Sequence, residues 1–295
     1  MRALTFCLLV LAAIVSACAP QVPTGPAKPY LPGALPAAPA LGRALPAGTT
    51  AYNNASLADL LVTLTHDLEW GASRPHLIRF NGPIAVGVTG DGAPYLPFLD
   101  GFLAQLRGQT GINIARRQGP HNLVINFVPG REFRAMVPQH FCVVAPGLIQ
   151  WNRFKQSPIR YGTRAYETQA TLAGMTIYIP DNAQPHVVRT CLIEEVVQAL
   201  GPANDLYGLG PSIFNDDAAH IWPTRLDYLM LRVLYAPELR SGMNRSETRF
   251  AALQALARMN PAGIGAPPLP ALGGPQMASW QRAFKQLTDV ATVDC

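Results

Sequence analysis

The stretch "CLIEEVVQALGPAND", residues 191–205, decides how this chain is expected to fold. Its apolar residues follow the i, i+3, i+4, i+7 spacing of a buried helical face: Ile193, Val196, Val197 and Leu200. Glu194 and Gln198 lie one turn apart on another face, with Glu195 beside them, and Gly201 ends the helix. The sequence therefore predicts a helix over 187–200, and because carboxylates are rarely buried without a partner, its polar residues require one.

The segments around this helix alternate between extended and helical patterns. Apolar alternation predicts strands at 78–80, 84–88, 112–115, 122–128, 141–145 and 172–179. Helical spacing and caps predict helices at 56–70, 94–109 and 246–259, and another that begins with a capping box formed by Thr224 and Asp227. Residues 151–170 read as a polar, aromatic-rich loop. Interleaved strands and helices favour an α/β (α+β) fold, a mixed sheet flanked by helices, with further helices at the C-terminal end.

The first residues, "MRALTFCLLVLAAIVSAC", have the pattern of an export signal. The apolar run from Leu4 to Val15 is too short to span a bilayer as a mature helix but fits the core of a secretory signal. It ends in a sequence that resembles the lipobox of bacterial lipoproteins, which implies a signal peptide at 1–17 and lipidation of Cys18. An ordinary signal peptide cut near Ala17 is the alternative.

The next segment, 19–50, has eight prolines and no acidic residue, so we expect 18–50 to form a lipid-anchored tether. Because no Asp stands directly after Cys18, analogy with Gram-negative lipoproteins suggests that the protein is anchored at the periplasmic face of the outer membrane. We expect a domain at 51–259, a Pro/Gly linker at 260–276 and a helical segment at 277–295. The membrane is therefore the expected partner, and the net charge of +5 does not indicate nucleic acid in an exported chain.

Three cysteines remain outside the predicted signal and anchor: Cys142, Cys191 and Cys295. In an oxidising compartment, three thiols suggest one disulfide and one odd cysteine. We favour a Cys142–Cys191 disulfide because both residues lie within regular elements of the same predicted domain. Their spacing fits no zinc-ligand pattern.

The spacing E-E-x-x-Q-x-x-G-x-x-N, residues 194–204, resembles the metzincin zinc-peptidase pattern H-E-x-x-H-x-x-G-x-x-H in register. The resemblance implies a metzincin-like topology and places Glu195 at the position of the general base. Glu194, Gln198 and Asn204 take the three positions that histidines occupy in that pattern. Because amide carbonyls are poor zinc ligands, we expect no zinc and no other cofactor.

A closer resemblance is to bacterial exported proteins that share domain of unknown function 2927. It is carried by "C-x-x-E-E-x-x-Q-x-L-G-x-x-N-D", by "SIFND" at 212–216 and by "LYAPELRSGM" at 234–243. The similarity spans about 55–245 and implies no established activity.

Three interpretations of the polar cluster remain open. It forms a structural hydrogen-bond network, or it binds a hard cation such as Ca²⁺ through carboxylates and amides. The third is a hydrolase acting on peptide or cell-wall polymer, with Glu195 as general base. We expect an exported lipoprotein with a non-catalytic cleft for a periplasmic protein, peptide or wall partner, bound by Glu194, Gln198, Asn204, Asp205, Asn215 and Asp216.

Overall fold

A computed structural model describes residues 52–69, 71–138, 140–169, 171–206, 209, 212–215 and 222–263. The predicted signal peptide, tether and C-terminal helical segment lie outside these residues, as do Cys18, Asp216 and Cys295. Within the described part of the chain, no helix is long and apolar enough to cross a membrane.

The core of the fold is a five-stranded mixed sheet in the order β2-β1-β3-β5-β4. Four strands run parallel, and β4 pairs antiparallel with β5 at one edge. The strands are β1 (Ile84–Thr89), β2 (Ile114–Arg116), β3 (Leu123–Val128), β4 (Val143–Pro146) and β5 (Met175–Pro180). Every residue of β5 is buried, as expected for a strand in the interior of a covered sheet. The α/β prediction with a mixed sheet flanked by helices is confirmed.

Nine α-helices lie within the described residues. They are α1 (Asn54–His66), α2 (Leu96–Thr110), α3 (Gly130–Met136), α4 (Trp151–Phe154), α5 (Pro158–Tyr161), α6 (Thr163–Thr168), α7 (Pro185–Ala199), α8 (Arg225–Leu234) and α9 (Arg245–Met259). Helix α7 follows β5 directly and packs against β4, β5 and α2. It is the helix predicted at 187–200, and ten of its fifteen residues are buried. This burial leaves its polar side chains few places to reach solvent.

The turn after α7 is fixed against α1. Arg74, which is only 1% exposed, donates hydrogen bonds to the carbonyls of Thr65 and Gly201. The backbone N–H of Ala203 donates to Leu64 O at 2.9 Å. These bonds hold the chain that follows α7 beside the C-terminal end of α1, and therefore near the residues that follow α1.

The predicted capping box of α8 is present and also holds the "SIFND" segment. The backbone N–H of Thr224 donates to Asp227 Oδ2 at 2.6 Å, and the backbone N–H of Ile213 donates to the same oxygen at 3.1 Å. The Ser212 hydroxyl donates to Asp227 Oδ1. Asp227 is fully buried, and burial raises its pKa although these donors favour the ionised form. This part of the sequence motif therefore has a structural role.

Two local predictions are wrong. Residues 78–80 form no strand, because this stretch bonds to the 241–243 segment instead of the sheet. Leu77 N–H donates to Met243 O at 2.7 Å, and Arg79 N–H donates to Ser241 Oγ at 3.1 Å. The segment predicted as a loop at 151–170 contains α4, α5 and α6. Buried Trp151, Phe154 and Tyr166 attach these short helices to the core.

The predicted disulfide is present. Cys142, just before β4, is bonded to Cys191 in α7, and the two Cα atoms are 5.9 Å apart. Cys191 lies one turn before Glu194 and Glu195. The bond therefore fixes the edge strand of the sheet to the segment of α7 that carries the polar residues.

We expect the double substitution Cys142→Ser, Cys191→Ser to lower the free energy of unfolding by about 4 kcal/mol. The bond closes a loop with a sequence separation of 49, and the loss of its loop-closure entropy accounts for this magnitude. Urea unfolding measures the change, and reduced wild-type protein should match the double variant. A difference below about 1 kcal/mol would show that the bond contributes little in solution.

Candidate functional site

A cleft of about 580 Å³ lies between α7 and the chain segments around β4, α5 and α6. One part of its wall is polar and is formed by five residues that we call the acidic cluster: Glu69, Glu194, Glu195, Gln198 and Asp205. Helix α7 supplies three of them, the turn after α7 supplies Asp205, and the segment after α1 supplies Glu69. Four carboxyl groups and one amide therefore meet in one cleft.

Glu195 is the most buried carboxyl of the cluster, with 5% of its surface exposed. Among the described residues, its buried Oε2 atom has no hydrogen-bond partner. Burial raises the pKa of Glu195 well above its usual range, and the charges of Glu194, Glu69 and Asp205 raise it further. Burial and these charges therefore favour the protonated form of Glu195.

Gln198 joins two other carboxyl groups of the cluster. Its Nε2 atom donates to Glu69 Oε1 at 3.2 Å and to Asp205 Oδ2 at 3.3 Å. The amide has two N–H donors, and this arrangement directs both of them at carboxylates. Gln198 therefore holds Glu69 and Asp205 in place with its nitrogen.

A buried tyrosine, Tyr166, also lines the cleft. Burial raises the pKa of Tyr166, and the charges of Glu195 and Glu69 raise it further. The guanidinium of Arg74 lies 5.9 Å from the centre of the Tyr166 ring. Burial lowers the pKa of Arg74 only to about 10, so Arg74 remains a cation at neutral pH. The charges of Arg74 and of the carboxyl groups therefore both act on Tyr166.

Another part of the cleft lining is apolar and exposed. Met136, Phe141 and Ile159, which we call the apolar rim, line the cleft and are 39%, 75% and 67% exposed. Exposed apolar side chains that share one cleft indicate a candidate interaction site, whereas single ones are common on any surface. The cleft therefore offers a ligand both apolar contact and negative charge.

The structure brings together some of the residues predicted for the site. Glu194, Glu195, Gln198 and Asp205 line the cleft, whereas Asn204 and Asn215 lie outside its lining. The side chain of Asn204 instead donates to the Thr63 carbonyl at 3.4 Å. Asp216 lies outside the described residues, so its part in the site stays a prediction.

Sequence reasoning missed Glu69, Tyr166 and the apolar rim. Glu69 is 129 positions before Gln198 and only the fold brings it near, so no local motif could reveal it. Among the described residues, no group of three or more His, Cys, Asp or Glu is arranged to hold a metal ion.

Comparisons with known proteins give one match. A family model described as "Protein of unknown function (DUF2927)" matches residues 54–254, which is more than half of the chain. No curated protein and no solved structure matches the chain. The resemblance to metzincins therefore has no support from a solved neighbour.

We expect Glu195→Gln to raise the melting temperature at pH 7. A carboxyl whose pKa is raised in the folded chain contributes stability below its unfolded pKa and loses that contribution as pH rises through the folded pKa. Glutamine cannot ionise and avoids this loss. Each 1 kcal/mol gained corresponds to roughly 2–4 °C in a domain of this size.

Thermal unfolding at pH 7 and pH 4 measures this effect. The stabilisation should shrink at pH 4, where glutamate is protonated in the unfolded chain as well. Glu247→Gln is the matched control because Glu247 is exposed on α9 and its amide can still accept the capping bond. A lower melting temperature for Glu195→Gln at pH 7 would contradict the raised pKa of Glu195.

Proposed function

The chain belongs to the DUF2927 family, whose description assigns no activity, and we propose that it is a non-catalytic binding domain for a peptide-like partner in the cell envelope. The observation that carries this proposal is the burial of Glu195 among three other carboxyl groups. A general base has to accept a proton in its ionised form, and burial among these carboxyl groups disfavours the ionised form of Glu195.

The positions that hold metal in the metzincin pattern support the same proposal. Gln198 directs its N–H groups at Glu69 and Asp205, and Asn204 bonds to the backbone of α1. Both side chains use their amide nitrogens as hydrogen-bond donors in these contacts. On this proposal the chain keeps the glutamate of a peptidase motif without the metal that would use it.

The cleft itself supports binding. Its volume of about 580 Å³ lies within the usual range for ligand sites, roughly 300–1,000 Å³. Phe141 and Ile159 are the two most exposed large apolar side chains that line it. A partner that covers them would remove apolar surface from water, which favours association. A peptide carries both the apolar and the charged groups that such a cleft can contact.

A hydrolase is the alternative, and one observation favours it. A glutamate held in its protonated form in a cleft can serve as a general acid toward a leaving group. Glu195 lines the cleft, and its burial favours the protonated form. This alternative requires bond cleavage that depends on Glu195, so one experiment can separate it from binding alone.

We further propose that the domain is held in the envelope by a lipid on Cys18, at the periplasmic face of the outer membrane. The resemblance of residues 15–18 to a lipobox and the proline-rich composition of 19–50 support this. A semi-extended tether would let the cleft reach partners away from the membrane surface.

We expect the full chain, purified from membranes in detergent, to enrich a subset of peptides from a random library without cleaving them. Phe141→Ser should reduce the enrichment at least tenfold, since it removes the most exposed apolar contact of the cleft. Phe250→Ser is the matched control, because Phe250 is 64% exposed on α9, outside the cleft lining. Sequencing of bound peptides and mass spectrometry of the unbound pool provide the two measurements.

Two results would contradict this proposal. If no peptide is enriched, or if Phe141→Ser and Phe250→Ser behave alike, the cleft is not a peptide-binding site. If new peptide ends appear and Glu195→Gln abolishes them, the chain is a hydrolase.

Anchoring is tested separately. Cys18→Ser should move the protein from the membrane fraction to the soluble fraction, as followed by immunoblotting after ultracentrifugation. Cys7→Ser is the control, because this cysteine lies within the predicted signal and is not the lipid acceptor. Membrane association that is unchanged in Cys18→Ser would show that the lipobox prediction is wrong.

A further inference from the structure

We propose that the cleft recognises an organic monocation on an apolar stem, an ammonium or guanidinium group of a basic peptide, which donates to the buried Oε2 atom of Glu195. The proposal rests on the binding function proposed above and names the chemical class of its ligand. The charge of the ligand favours the ionised form of Glu195, and since the cation keeps its own proton, the proton that Glu195 loses passes to solvent.

The first support is the unsatisfied oxygen of Glu195. Its Oε2 atom is buried, has no hydrogen-bond partner among the described residues, and belongs to a side chain that lines the cleft. A buried acceptor without a donor costs roughly 1–3 kcal/mol relative to one that is paired. A ligand that brings an N–H donor would satisfy this atom, and a charged donor makes a stronger bond than a neutral one.

The second support is the charge of the groups that face Glu195. Glu194 comes from α7, Glu69 from the segment after α1, and Asp205 from the turn after α7, and all three carboxylates oppose ionisation of Glu195. Tyr166 faces it from α6, and His140 lines the same cleft. A positive ligand would offset this repulsion and favour the ionised form of Glu195.

The buried cation nearby has a structural role. Arg74 donates to the carbonyls of Thr65 and Gly201, and its guanidinium lies over the ring of Tyr166. Its buried Nη1 atom has no hydrogen-bond partner among the described residues. Arg74 therefore stabilises the turn after α7.

The third support distinguishes an organic cation from a metal ion. Gln198 directs N–H donors into the cluster, and an N–H group repels a metal ion. No metal-holding group of His, Cys, Asp or Glu occurs among the described residues. The apolar rim shares the cleft with the cluster, and Met136, Phe141 and Ile159 suit a hydrocarbon stem. Lysine-like and arginine-like side chains have both a charged donor group and a hydrocarbon stem.

The test uses four small probes on the full chain in detergent: hexylamine, hexylguanidine, hexanol and hexanoate. Binding is measured by the change of intrinsic fluorescence or by isothermal titration calorimetry at pH 5, 6 and 7. We expect hexylamine or hexylguanidine to bind at least tenfold more tightly than hexanol, and hexanoate to show no binding. The comparison of the two cations identifies which head group the cleft prefers.

The role of Glu195 is tested by proton release. Calorimetry at pH 7 in two buffers of different ionisation enthalpy should give about one proton released per cation in wild type. Glu195→Gln should release close to none and lose most of the preference for hexylamine over hexanol. Glu247→Gln makes the same substitution at an exposed position outside the cleft and should behave as wild type.

The outcomes separate this proposal from the binding function itself. Equal binding of hexanol and hexylamine, or no proton release in wild type, would overturn the cation proposal even if library peptides are enriched. Calcium that displaces hexylamine in a Glu195-dependent manner would overturn it in favour of a metal site. If no library peptide is enriched, the binding function fails, whatever the small probes do.

Discussion

The burial of α7 is the constraint on which the site depends. This helix packs against β4, β5 and α2, and most of its surface is removed from water. A helix that is buried on most sides can expose polar side chains only where its neighbours leave a gap. Glu194, Glu195 and Gln198 all occupy that gap. The cleft is therefore the place where α7 meets solvent.

The same constraint explains why Glu195 lowers the stability of the folded domain. Only 5% of the Glu195 surface is exposed, and the described part of the chain offers its Oε2 atom no donor. An isolated domain would be more stable with an apolar or amide side chain at this position. Residues that oppose stability in this way occur at functional sites more often than elsewhere, because a ligand can supply the missing interaction. Burial without a partner is thus the strongest indication of function in this molecule.

Sequence reasoning succeeded where local patterns determine structure. The α7 helix, the mixed sheet, the α8 capping box and the Cys142–Cys191 disulfide all follow from periodicity, caps and cysteine placement. It failed where distant segments compete for the same backbone groups. Residues 78–80 alternate like a strand, yet their neighbours bond to residues 241–243. Glu69 and the apolar rim join the site only through the tertiary fold, so no spacing along the chain reveals them.

Gln198 lies where the metzincin pattern has a histidine, and the two side chains differ in what they donate. An imidazole nitrogen donates a lone pair to a metal, whereas the Gln198 amide nitrogen donates hydrogen bonds to Glu69 and Asp205. A metal site needs carboxylates and lone pairs directed at one point. Here the amide donates to two of the four carboxyl groups, and the buried Oε2 atom of Glu195 has no partner among the described residues. On the cation proposal, this atom suits a ligand that arrives with its own hydrogen-bond donors.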